Sequence, residues 1–226
     1  MTNKLPVIRG FIESSCSDWP GMVCAVLFLG GCNFRCPYCH NHQLVLEPKT
    51  VAEIPWEQIA NSLDKLKSWL DGVCVSGGEP TLQPAALVSL CRTLKNAGVK
   101  VKLDTNGSNP AVVARLLDED LIDFVAMDIK APLANNNLYA HCTGIKDVDM
   151  DPIRATFNLL VDRNVPCQFR TTWHPALFPV QELNSLETHI KKQVKRDYVI
   201  QYAVPDNALA DWFRKLEPVK LEDEAA

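Results

Sequence analysis

The sequence has no uninterrupted apolar run long enough to span a bilayer, and Met1-Thr2-Asn3-Lys4-Leu5-Pro6 lacks the apolar core of a signal peptide. These absences lead to the expectation of a cytoplasmic protein with no membrane association. It also lacks an excess of one charge: 23 basic and 27 acidic residues are interspersed and leave a net charge of −4. Without a basic stripe to follow a phosphate backbone, nucleic acid is disfavoured as a partner. There is no low-complexity tract and no internal repeat beyond an alternation of strands and helices. Cysteine is not scarce. Nine is an odd number, and Cys24, Cys74, Cys91 and Cys167 fall inside apolar patterns. That usage suits buried free thiols in a reducing compartment better than a disulfide frame.

A chain of 226 residues with 47% hydrophobic content can bury one sizeable α/β core or two small ones. After a short N-terminal arm, Met22 to Leu29 reads as a buried strand that Gly30-Gly31 ends. Trp56, Ile59, Leu63, Leu66 and Leu70 recur at helical steps behind Pro55, and Val73-Cys74-Val75 is a short strand. Leu87, Val88, Cys91 and Leu94 share a helix face that stops at Gly98. Val99 to Thr105 alternates as a strand, and Asn109-Pro110 opens a helix holding Val112, Val113, Leu116 and Leu117. Strand Asp123 to Lys130 precedes a helix at Asp151-Pro152. Strand Cys167 to Trp173 precedes a helix with Leu183, Leu186, Ile190 and Val194, and strand Asp197 to Tyr202 precedes one with Leu209, Trp212, Phe213 and Leu216. Six strand-helix units predict a parallel sheet with right-handed crossovers. The expected architecture is a partial (β/α)6 TIM-like barrel, with an open doubly wound sheet as the alternative.

The densest chemistry lies in Gly30-Gly31-Cys32-Asn33-Phe34-Arg35-Cys36-Pro37-Tyr38-Cys39-His40-Asn41-His42, where three cysteines are spaced CxxxCxxC. A closed iron–sulfur cubane or a structural zinc normally takes four protein ligands. Three thiolates read as an incomplete iron–sulfur site with one metal position open. His40 or His42 could instead complete a Cys3His zinc site, although no second CxxC follows, and plain core or disulfide cysteine is a further reading.

Sites in such folds form at the carboxyl ends of the strands. Those ends supply Gly77-Gly78-Glu79-Pro80, Asp104-Thr105-Asn106-Gly107, Asp128 with Lys130, Gln168 with Arg170 and Thr172, and Gln201. Each alone reads as a solvated strand end or an ion pair such as Asp128 with Lys130. Five polar ends on one rim point to a binding site. The Gly77-Gly78 pair would let the backbone approach a ligand closely.

CxxxCxxC with Tyr38 before the third cysteine, followed by a Gly-Gly-Glu-Pro loop after the next strand, resembles the radical S-adenosylmethionine (SAM) superfamily. Asp18 to Gly21, Gly31 to Asn41, Ser76 to Thr81, Leu103 to Ser108, Ala126 to Pro132 and Phe169 to Thr172 resemble, more narrowly, the anaerobic ribonucleoside-triphosphate reductase activating proteins. The resemblance runs from about residue 10 to 205. It implies one domain over 1–226, with a short C-terminal helix and acidic tail at 206–226. It implies a 4Fe-4S cluster on Cys32, Cys36 and Cys39, which are thereby both metal ligands and catalytic residues, and SAM on the fourth iron. Reductive cleavage of SAM would give a 5′-deoxyadenosyl radical that takes hydrogen from a glycine of a partner enzyme. Tyr38 would approach the adenine, and Gly78 and Glu79 the methionine amino group. Asp104, Lys130 and Arg170 would hold the ribose, the carboxylate or an accessory cation, and Gly77 and Asn106 join the cofactor-binding set. The implied partners are a glycyl-radical enzyme, chiefly anaerobic ribonucleotide reductase, and a flavodoxin- or ferredoxin-type electron donor. A radical SAM enzyme acting on a small molecule, such as a 7-carboxy-7-deazaguanine synthase, and a non-catalytic metal-binding module are the rivals. Trp173-His174-Pro175 departs from the activase pattern, leaving His174 as a ligand contact or a loop residue, and no inserted cysteine-rich segment is present.

Overall fold

The computed structural model describes residues 4–163, 165–194 and 198–219. Seven strands, β1 (Ile8–Ser15), β2 (Cys24–Leu29), β3 (Gly72–Gly77), β4 (Lys100–Thr105), β5 (Phe124–Asp128), β6 (Cys167–Trp173) and β7 (Tyr198–Tyr202), lie in one sheet in that spatial order. β1 pairs antiparallel with β2, and every later pair is parallel. Because spatial order follows chain order throughout, the winding never reverses as it must in a doubly wound sheet. The sheet is an open, six-unit barrel with β1 added along one edge.

Crossover helices α2 (Trp56–Leu66), α3 (Pro84–Asn96), α4 (Pro110–Asp118), α6 (Asp151–Asp162) and α7 (Val180–Gln193) cover one face. Proline at the first turn starts α3, α4 and α6, where its missing N–H costs nothing. Two-residue periodicity divides the strands. Leu27, Leu29, Val75, Leu103, Val125 and Phe169 point into the main core against the helices. Leu87, Leu90 and Leu94 of α3 are fully buried there, each contributing on the order of 2 kcal/mol. The opposite positions Cys24, Val26 and Cys74 pack with Trp19 and plug one end of the inner face. Towards the carboxyl ends that same face turns polar. Among the described residues all nine cysteines are free thiols, and no helix is long and apolar enough to cross a membrane.

Four expectations change. The N-terminal arm is strand β1, in which Ile8 is buried while Arg9, Gly10 and Phe11 are half-buried, so clean alternation is missing on this edge strand. The helix expected around Leu209 to Leu216 is a single 3-10 turn, Phe213–Lys215. Two helices were not foreseen, α1 (His42–Leu46) and α5 (Asn136–Thr143), both short and weakly patterned. Strand β7 is described from Tyr198; Asp197 and the acidic tail lie outside the described residues.

Helix α5 matters because it ends under the cysteine loop. The Arg35 amide donates to Thr143 O at 2.7 Å, and Gly144 closes the helix at φ 67° with its absent Cβ 2.4 Å from Arg35 O. Gly144→Ala therefore combines a left-handed backbone with a steric clash. It is expected to cost about 2 kcal/mol, read as a lowered denaturation midpoint at unchanged slope; an unshifted midpoint would count against this fastening.

Candidate functional site

The cysteine loop leaves β2 and is tied down along its length. Gly31 N donates to Leu44 O at 2.7 Å, Cys39 N to Cys36 O at 3.0 Å, and Ala210 N to Pro37 O at 2.9 Å. The Phe34 amide donates to Cys32 Sγ at 3.3 Å, a contact that favours a thiolate or sulfur ligand over a bare thiol. Burial acts the other way. It pushes the Cys32 thiol up to about 11 and raises Cys36 and Cys39, against the opposing pull of Lys130 on all three. Such thiols stay protonated at neutral pH unless a metal supplies the compensating charge.

No three His, Cys, Asp or Glu side chains among the described residues converge on a point one metal ion could fill. A cluster, which offers several irons, does not require that convergence. The histidines are engaged elsewhere: His40 Nε2 bonds Val204 O at 2.9 Å and His42 Nε2 bonds Asn207 Oδ1 at 3.3 Å. His174 lies away from the cavity, bonding Glu217 O at 3.0 Å and the Ala176 amide at 3.1 Å, so it acts as a loop residue that anchors the C-terminal segment.

The loop after β3 packs directly on the cysteine loop. Gly78 N donates to Leu29 O at 2.9 Å and Glu79 N to Gly31 O at 2.7 Å. A Cβ on Gly78 would lie 2.0 Å from Gly31 O, and Gly77, at φ 126°, would meet the Leu29 backbone at 2.3 Å. The glycines thus admit the neighbouring loop as well as facing the cavity. Glu79 is fully buried. Its Oε1 accepts from Thr81 N at 3.0 Å, Thr81 Oγ1 at 2.6 Å and Thr105 Oγ1 at 2.9 Å, and its Oε2 from Asn106 N at 2.7 Å. Burial raises its carboxyl above the usual range, while these donors hold it back. Asn106 Nδ2 then reaches Asn33 Oδ1 at 2.9 Å, joining the β4 loop to the cysteine loop.

Across the rim of β4, β5 and β6 the charges alternate. Lys102, wholly buried beside Cys74, pairs with Asp104; Arg170 pairs with Asp104 at 3.6 Å and Asp128 at 2.8 Å; Lys130 pairs with Asp128 at 3.0 Å. Burial alone would raise Asp128, yet Arg170 and Lys130 bring it down from 3.8 to about 2. Three cations against two anions leave the row net positive. The Lys130 ammonium also stands 5.8 Å over the Tyr38 ring, whose other neighbour is Phe213 at 6.2 Å.

All eleven residues singled out from the sequence, Cys32, Cys36, Cys39, Tyr38, Gly77, Gly78, Glu79, Asp104, Asn106, Lys130 and Arg170, line one cavity of about 500 Å³. So do Asp128, Thr172 and Gln201, while Gln168 does not. The sequence reading missed Asp18, Ser76 and Asn41 there. Ser76 Oγ donates to Asp104 at 3.1 Å and Asn41 Nδ2 to Gly77 O at 3.1 Å. Their adjacency to Gly77 and Cys39 was the available signal; for Asp18 there was only its place in Asp18-Trp19-Pro20-Gly21.

A model of the radical SAM superfamily matches residues 26–192. The chain is 34% identical over 96% of its length, and 88% of the relative's, to the provisionally named glycyl-radical enzyme activating enzyme MJ1227 of Methanocaldococcus jannaschii. It is 33% identical over 50% of its length to the pyruvate formate-lyase-activating enzyme of Clostridium pasteurianum, spanning 48% of that protein. The fold resembles the solved structure of coproporphyrinogen III oxidase from Escherichia coli, a radical SAM enzyme, with a TM-score of 0.56 at 15% identity over 88% of this chain and 47% of that one.

Two substitutions probe the geometry. Glu79→Gln places an amide N–H against backbone or hydroxyl donors and is expected to cost about 1 to 3 kcal/mol of unfolding free energy; a neutral result would mean that Glu79 is not the brace described. Asp128, held below its ordinary value, adds stability of about 2 kcal/mol above pH ~4 that is lost as pH falls towards ~2. Asp128→Asn should flatten the stability profile over that acid window and lower stability at neutral pH. An unchanged acid limb would contradict the ion-pair account.

Proposed function

The chain belongs to the radical SAM superfamily and, within it, to the glycyl-radical enzyme activating enzymes, and on that premise we propose that it installs a glycyl radical on anaerobic ribonucleoside-triphosphate reductase. Membership makes it a radical SAM oxidoreductase with a 4Fe-4S cluster and SAM as cofactors. When bound, that pair supplies a one-electron cleavage of SAM and with it a hydrogen-abstracting radical. The observation that carries the reading is the single cavity in which three thiols meet a polar rim of paired acids and bases.

The donor set fits those groups. Cys32, Cys36 and Cys39 would hold the cluster through their three sulfurs. About 500 Å³ lies within the usual range for a site enclosing a small cofactor. Lys130 and Arg170 offer fixed cations to a carboxylate, and Asp104 and Ser76 offer oxygens to hydroxyl or amino groups. Tyr38 supplies an apolar wall, and Gly77, Gly78 and Asn106 bring backbone and amide groups to the same wall. Glu79 serves chiefly by fixing the β3 and β4 loops, with Oε2 carrying one bond and room for another.

We take 1–226 as one domain and place it in the cytoplasm, a reading supported by its nine free thiols. Anaerobic ribonucleotide reductase as the partner is supported by the motif resemblance across residues 10–205. The similarity to pyruvate formate-lyase-activating enzymes favours a second partner, pyruvate formate-lyase itself.

Electron paramagnetic resonance separates them. The anaerobically reconstituted protein with SAM and a reductant is expected to raise a glycyl doublet on an anaerobic ribonucleotide reductase and none on a pyruvate formate-lyase. A doublet on the lyase alone would replace the proposed partner, and SAM cleavage with no doublet on either would move the assignment to a small-molecule substrate.

A further inference from the structure

Lys102 is a charged residue with no exposed surface, and it does not line the cavity. It sits in the middle of β4, opposite Cys74 of β3 and Phe124 of β5. Cys24, Val26, Cys74 and Trp19, with Phe124 packed against them, make up the apolar plug in which its stem is set. Its ammonium donates to Cys74 Sγ at 3.5 Å and pairs with Asp104, two residues further along the same strand face.

Stability does not account for a lysine here. A buried ion pair is often matched or bettered by apolar residues of the same volume, because desolvating the two charges offsets their attraction. Removing one charge alone is different, since it leaves the other buried without its partner. What the pair does is hold Asp104. That side chain is 12% exposed and lines the cavity together with Ser76 and Arg170. Its Oδ1 is taken by Lys102, while Oδ2 accepts from Ser76 Oγ at 3.1 Å and faces Arg170 Nη2 at 3.6 Å. Contacts on both oxygens fix the plane of the carboxylate. With about four acceptor positions in all, it keeps capacity for a ligand donor.

Resting on the proposed function, we infer that Lys102 is a positioning residue for SAM binding: without touching the cofactor, it fixes the Asp104 carboxylate to accept a hydrogen bond from it. Ser76 and Arg170 both act on Oδ2, so without Lys102 the other oxygen is free to turn. An acceptor that has to be ordered when the ligand arrives binds it more weakly than one already held. Lys102 therefore supports the site from within the plug, and its whole effect on the ligand passes through Asp104.

The test compares reconstituted holoenzyme with Lys102→Met, Asp104→Asn and the double variant. Two quantities are read: affinity for S-adenosylhomocysteine, a probe that is not cleaved, by anaerobic calorimetry, and the denaturation midpoint. Each single substitution should weaken binding about tenfold and lower the midpoint, since each leaves one buried charge unpaired. In the double variant the midpoint should return towards that of the unaltered protein, while affinity stays at the level of Asp104→Asn alone. Affinity that recovers along with the midpoint would mean that the pair only braces the fold, and would overturn the inference. Lys102→Met that binds the probe as tightly as the unaltered protein would also overturn it. So would a double variant that binds more weakly than Asp104→Asn, because Lys102 would then act by a route other than Asp104. If Lys102→Met does not fold, the double variant, in which no charge is left alone, still decides: equality with Asp104→Asn supports the inference and a difference overturns it. A cluster-loaded unaltered protein with no affinity for S-adenosylhomocysteine would instead overturn the function on which the inference rests.

Discussion

The site hangs on one buried carboxylate. Glu79 reaches hydroxyl and amide donors from its own loop and from the loop after β4, while its backbone amide holds Gly31 of the cysteine loop at 2.7 Å. Three strand ends are thereby set relative to one another by a single residue. Leaving any of these donors unpaired inside the protein would cost more than each bond adds, and this asymmetry gives the arrangement its rigidity. The glycines next to it are required for the same purpose, because only a residue without Cβ lets the two loops approach so closely.

Around that brace the electrostatics follow from burial. An isolated ion at the end of β4, β5 or β6 would be expensive to desolvate, so the cations and anions alternate, Lys102 to Asp104 to Arg170 to Asp128 to Lys130. The Lys130 ammonium at one end of this row lies beside Tyr38. That ammonium favours negative charge on sulfur, partly offsetting the desolvation that raises the three thiols.

Much of this was legible in the sequence because barrels concentrate chemistry at one end of each strand. The spacing of Cys32, Cys36 and Cys39 and the polar terminations at Asp104, Asp128 and Arg170 needed only periodicity and the strand-end rule. What was not legible depended on contacts between segments far apart in the chain. Nothing local marks Lys102 as wholly buried, since its neighbours Lys100 and Asp104 read as a solvated strand face. The bracing of Glu79 was not legible either, because two of its four donors come from Thr105 and Asn106, whose proximity only the fold creates. The spacing of Leu209, Trp212, Phe213 and Leu216 suggested a helix where the structure has a single 3-10 turn.

The central claim is that Cys32, Cys36 and Cys39 and the rim facing them form one machine for opening SAM. It is tested most directly by quantifying 5′-deoxyadenosine from anaerobically reconstituted protein supplied with SAM and dithionite, alongside Cys36→Ala. The account predicts 5′-deoxyadenosine from the unaltered protein and none above background from Cys36→Ala. Protein that carries a full 4Fe-4S cluster and binds SAM yet releases no 5′-deoxyadenosine would contradict it.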